Sequence, residues 1–179
     1  MKKLILIATV LLTSHMVFAG NIDLGKSKLF WQGTKVTGRH WGDIKFKSGN
    51  VTTKDGALAG AEFVVDMNSF NATDLSGEWA EKFNGHIKGA DFFEVEKYPT
   101  ATLKVKKVEG FTVTADLTIK GVTQEMKFLV AKNGNKYTGT LTFDRTKFGI
   151  KYGSKSFFKS IGDKAIDNEV SLIFDVFAK

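Results

Sequence analysis

The 179-residue chain has no cysteine and a single proline, and both scarcities narrow what it can be. Without thiols it has no disulfide, no thiolate metal ligand and no cysteine nucleophile, so stability must come from packing and hydrogen-bonded strands. Three histidines leave little room for metal or acid–base chemistry: His15 lies in the N-terminal segment expected to be removed, and His40 and His86 stand 46 positions apart. No His-Glu-x-x-His, Gly-x-Ser-x-Gly or phosphate-loop pattern occurs, and the expectation is a protein that is not an enzyme and uses no metal or cofactor. A run long enough to cross a membrane is also missing. The apolar stretch from Leu4 stops at Leu12, where Thr13, Ser14 and His15 follow, short of the roughly 18 residues a spanning helix needs.

Lys2 and Lys3, that short apolar run, and Val17 and Ala19 at small-residue spacing predict a signal peptide over residues 1–19, cleaved after Ala19. No cysteine is present to carry a lipoprotein lipid, so the expectation is a soluble protein released into the periplasm. Residues 20–179 then form one domain. Lys2 and Lys3 are two of the 26 basic residues, so cleavage leaves 24 against 19 acidic ones, a net of +5. The lysines are scattered along polar faces, as solvation and edge protection require, and no nucleic-acid groove is expected.

What the chain does have is alternation, the mark of strands buried on one face. Phe63, Val65 and Met67 oppose Glu62, Asp66 and Asn68. Ala101, Leu103 and Val105 oppose Thr102, Lys104 and Lys106, and Phe111, Val113, Ala115, Leu117 and Ile119 oppose Thr112, Thr114, Asp116, Thr118 and Lys120. Met126, Phe128 and Val130 continue the pattern, then Leu141 and Phe143, then Val170, Leu172, Phe174 and Val176. Asp55-Gly56, Glu109-Gly110, Lys120-Gly121 and Asn133-Gly134-Asn135 are turn pairs that tolerate positive φ, which makes successive strands antiparallel. About eight strands result, enough to close into a barrel.

One stretch changes period. Between Ser76 and Gly89, Trp79, Phe83 and Ile87 recur every fourth residue, with Ser76 placed to cap and Lys88 near the finish, which predicts a short amphipathic helix whose aromatic stripe lies on the barrel. Phe92 and Phe93 follow, then Pro99, which holds Tyr98 extended and opens the next strand.

The segment His86-Ile-Lys-Gly-Ala-Asp-Phe-Phe to Tyr98-Pro-Thr-Ala-Thr, then Leu117-Thr-Ile-Lys-Gly-Val-Thr, and finally Asp144-Arg-Thr-Lys-Phe-Gly-Ile-Lys-Tyr-Gly, resembles the YceI-like family over essentially the whole mature chain. That resemblance implies an all-β fold, an extended antiparallel eight-stranded lipocalin-like barrel, holding a polyisoprenoid, an isoprenoid quinone or another long-chain amphiphile without turnover. It also implies a carrier or storage role in the periplasm, with homodimers and transient contact with a membrane or membrane protein among the arrangements expected.

Such a ligand is bound by shape and by removal from water, so the wall must be apolar. At about 25 cal/mol per Å² of apolar area, burying several hundred Å² gains on the order of 10 kcal/mol before ordering costs. Alternation nominates Phe46, Phe63, Val65, Met67, Leu103, Val105, Val113, Leu117, Ile119, Met126, Phe128, Leu141, Phe143, Leu172, Phe174 and Val176 as the inward-facing lining. Arg39, His40 and Trp41 are placed at the mouth, where the Arg39 fork suits a phosphate or quinone oxygen. Composition alone leaves a filled core open as the alternative, with Tyr152, Phe157 and Phe158 then serving a protein partner. Asp144 and Arg145 read as an ion pair at a strand end, and His86 as a cation at the helix C-terminus.

Overall fold

In the computed structural model, which describes residues 16–179, Asp55-Gly56 and Lys120-Gly121 carry positive φ at both positions, 51° and 80°, then 50° and 74°. Backbone of that hand matches the twist of two adjoining strands and turns the chain straight back. Gly110 and Gly134 serve two further hairpins, at φ of 60° and 59°. The resulting elements are β1 (Val17–Asn21), β2 (Lys28–Lys35), β3 (Gly38–Lys54), β4 (Ala57–Ala72), α1 (Gly77–Lys88), β5 (Thr100–Glu109), β6 (Thr112–Ile119), β7 (Val122–Asn133), β8 (Lys136–Asp144) and β9 (Ile166–Phe177).

All pairings are antiparallel, and β3–β4 joins the two ends of the sheet into a barrel. Nine strands make eight staves. β1 lies along the Asn50–Lys54 half of β3 and β2 along its Gly38–Ile44 half, so the two share one stave end to end. Of the predicted signal, residues 1–15 lie outside the described residues, and Val17 to Ala19 run in β1.

Inward residues form one continuous interior. On β6, Val113, Ala115, Leu117 and Ile119 are buried in strict alternation, while Phe111, expected on that face, sits in the preceding turn and is 73% exposed. The chain enters the turn one residue before the ladder begins at Thr112, so the alternation does not reach it. The two barrel ends differ. One is closed by the three tight hairpins after β3, β5 and β7; the other carries α1 and the long connection 145–165.

α1 packs on the barrel through Phe83 and Ile87, but Trp79 is 76% exposed, and Ser76 precedes the helix without a side-chain capping bond. The stripe therefore leaves the barrel surface after one turn. Pro99 stands just before β5, and its carbonyl accepts the Met67 amide at 3.0 Å.

Candidate ligand-binding cavity

Strands β2 and β4 bring Trp31 and Phe70 face to face, with ring centroids 4.4 Å apart, and α1 lays Phe83 parallel to Trp31 at 6.0 Å. The indole N–H of Trp31 donates to the Asn71 carbonyl at 3.1 Å, which fixes the ring within the stack. Phe92 and Phe93, from the turn after α1, and Ile150 and Tyr152, from the long connection, complete a chamber of about 260 Å³ beneath the helix. Its walls are mainly aromatic and aliphatic. Thr34, Lys35, His40, His86, Arg145 and Asp167 supply the polar groups. An apolar space with a few convergent polar groups is the usual form of a small-molecule site.

Most of these polar groups are held by neighbours in the wall. His40 Nδ1 lies 2.7 Å from Asp74 Oδ2, while Asp74 Oδ1 accepts the Trp41 amide at 3.1 Å. The His40 ring packs on Phe83 at 4.7 Å, and the Thr34 hydroxyl donates to Asp167 Oδ2 at 2.6 Å. His86, in the last turn of α1, meets the rings of Tyr152 and Phe92 edge-on at 4.7 and 5.1 Å.

Arg145 is 2% exposed and donates to four carbonyls: Nε to Asp167 at 3.0 Å, Nη1 to Ile150 at 3.0 Å and Tyr152 at 2.8 Å, Nη2 to Ile166 at 3.0 Å. Burial pushes its guanidinium down from the ordinary value, and the Asp144 and Asp167 carboxylates partly restore it. The predicted ion pair is thus replaced by carbonyl bonds, since Asp144 turns its carboxylate to the Thr146 amide and hydroxyl at 2.9 and 2.6 Å.

Below the chamber the lumen narrows. β9 marks the descent through its inward side chains: Val170 lines the chamber, Leu172 the next space of about 70 Å³, and Val176 both that space and a last one of about 30 Å³. Where the two lower spaces meet stand two ring pairs, Phe46–Phe63 at 5.7 Å and Phe128–Phe174 at 6.0 Å. Phe63 and Phe174 each lie across a glycine on the adjoining strand, Gly49 and Gly139. A Cβ there would come within 2.7 Å of Phe63 and 2.6 Å of Phe174, so the glycines let the rings lie back against the wall.

The YceI-like domain model matches residues 21–178. The chain belongs to the YceI-like family. This YceI-like barrel is similar to Burkholderia cenocepacia BcnA, at 26% identity and a TM-score of 0.68 over 88% of this chain and 99% of the other. A polyisoprenoid binding domain from Saccharophagus degradans shares the fold at 18% identity and a TM-score of 0.61, over 89% and 98% of the two chains. A UPF0312 protein of Staphylococcus aureus (strain USA300) is 35% identical over 83 residues. That alignment covers 40% of this chain and 48% of the relative, so the chain spans about half the length of the curated relatives it matches.

Within this YceI-like interior, ten of the sixteen nominated lining residues border the two lower spaces: Phe46, Phe63, Leu103, Val105, Val113, Phe128, Leu141, Leu172, Phe174 and Val176. Val65, Met67, Leu117, Ile119, Met126 and Phe143 pack in the surrounding core without bordering either space. None of the sixteen lines the chamber. Of the nominated mouth residues, His40 does; Arg39 and Trp41 are exposed on the outer face, with the guanidinium 5.4 Å from the indole centroid. Strand alternation sends His40 inward and both neighbours out. Of the chamber's seventeen lining residues, eight lie on α1 and the connections, where alternation gives no signal; nine lie on β2, β3, β4 and β9, and of these Trp31 alternates with Leu29 on β2.

Proposed function

We propose that the protein carries a long apolar chain, of the polyisoprenoid or isoprenoid quinone class, in the periplasm, binding it without turnover. The observation that carries this reading is the aromatic chamber beneath α1, with two further spaces walled by phenylalanine and aliphatic side chains deeper in the same barrel. A tail enters past the phenylalanine pairs while its head group remains among Thr34, Lys35 and His40. No reacting group is required, because removal of the chain from water supplies the affinity. The shared fold with a domain described as polyisoprenoid binding supports the ligand class.

Native mass spectrometry of protein purified without detergent, followed by organic extraction, tests the reading. A bound species of discrete mass is expected. A ligand-free mass that stays unchanged after incubation with polyprenols, quinones and fatty amides would sink it.

A further inference from the structure

Three segments stand at the chamber end of the barrel: α1 and the connection 145–165, which both contribute wall residues, and the turn between β2 and β3, whose flanking strands contribute Lys35 and His40. Their outward positions carry large apolar side chains, with Val36, Trp79, Phe157 and Phe158 all exposed, the last two at 48% and 50%. Isolated exposed apolar residues are ordinary, but grouping around one opening is not. The same connection is basic. Lys147, Lys151, Lys155, Lys159 and Lys164 face a single acid, Asp163, across residues 146–164. The charges stand beside the rings: Lys151 Nζ is 4.8 Å from the Phe157 centroid, and Lys82, which also pairs with Glu78 at 2.7 Å, is 5.9 Å from that of Trp79.

We propose that this rim is a docking surface for an anionic lipid bilayer, which it meets with the chamber opening downward. The proposal rests on the carrier reading, because an isoprenoid that leaves a membrane through water must expose its whole chain, and docking removes that barrier. Aromatic rings seat at the depth of the head groups while lysines pair with anionic lipids. The opposite end is unlike it. There Phe111 and Leu129 are exposed beside the Lys107–Glu109 ion pair, with no second aromatic ring next to them among the described residues, and the exposed run Met16 to Phe18 belongs to the segment that the predicted cleavage removes.

Co-sedimentation of the mature protein with vesicles tests the surface, using phosphatidylethanolamine–phosphatidylglycerol against phosphatidylcholine alone. Binding to the anionic vesicles is expected, weakened by salt. F157S/F158S and K151E/K155E/K159E should each lower it at least about tenfold, and F111S should leave it unchanged. In parallel, each variant is offered a polyprenol added from ethanol, which bypasses the membrane. Variants that lose vesicle binding yet keep that uptake support the proposal. No association of the unmodified protein with anionic vesicles, retained binding in both rim variants, equal loss in F111S, or rim variants that lose vesicle binding and ethanol uptake together would overturn it. Vesicle binding by an unmodified protein that takes up no polyprenol upholds the docking surface and removes only the carrier reading.

Discussion

Arg145 shows what a single side chain does for this site. Its fork reaches carbonyls at Ile150, Tyr152, Ile166 and Asp167, so it ties both ends of the long connection to the barrel wall. Arg145→Lys keeps a charge but loses the planar geometry, and Arg145→Met leaves all four carbonyls without this donor. Hydrogen bonds to charged groups contribute about 1.5–3 kcal/mol each and are not additive, so a loss on the order of 3 kcal/mol is expected for either variant, read from the urea midpoint. A midpoint unchanged in Arg145→Met would show the connection to be held by packing alone. Gly139 acts through what it lacks. Gly139→Ala places a Cβ 2.6 Å from Phe174 and 2.5 Å from the Leu129 carbonyl, so the ring must swing into the lumen. Overpacking of this kind costs about 1–3 kcal/mol, and retention of a long-chain ligand in native mass spectra should fall with it.

Among elements, α1 separates what the sequence pattern fixes from what it leaves open. The four-residue spacing of Trp79, Phe83 and Ile87 is legible as a helix, yet the pattern does not say where the helix parts from the barrel. Phe83→Ala removes a ring packed on Trp31 and His40 and should cost about 2–3 kcal/mol. Trp79→Ser should change stability by less than about 0.5 kcal/mol. Equal destabilisation by both, measured by thermal melts, would place Trp79 against the barrel after all. Strands were legible in the same partial way. Phe63, Val65 and Met67 alternate inward on β4, but Phe70 and Ala72 are inward one phase later. The cause is local: two steps on β3, from Asp43 to Lys45, are matched by five on β4, from Asn71 to Asp66. There the Lys45 amide donates to the Ser69 hydroxyl at 2.7 Å, and Ser69 donates on to the Asp66 carbonyl at 2.6 Å. A bulge of this kind inverts the facing of everything beyond it on β4, which is why the alternation that begins at Phe63 misses Phe70 in the chamber wall.

At the scale of the molecule, the lumen runs from a chamber of about 260 Å³ through spaces of about 70 and 30 Å³, with the phenylalanine pairs between. A short isoprenoid can fill the chamber alone. A longer one that has filled the middle space gains further apolar burial only if Phe63 and Phe174, which border both the middle and the last space, turn aside. Ligand present at about a hundred times its Kd stabilises the folded state by about 2.7 kcal/mol, which for a domain of this size raises Tm by roughly 5–10 °C. Melting with a series of prenols of increasing length therefore reads where the resistance lies. In the unmodified protein the gain per added unit should fall once the chamber and the middle space are full. In Phe174→Ala, which joins the middle and last spaces, the gain should persist to longer chains even though the free protein melts lower. The two effects have opposite sign, so loss of packing cannot imitate a longer site. Parallel curves for the two proteins would mean that the chain never passes the rings and that the last space of about 30 Å³ takes no part in binding.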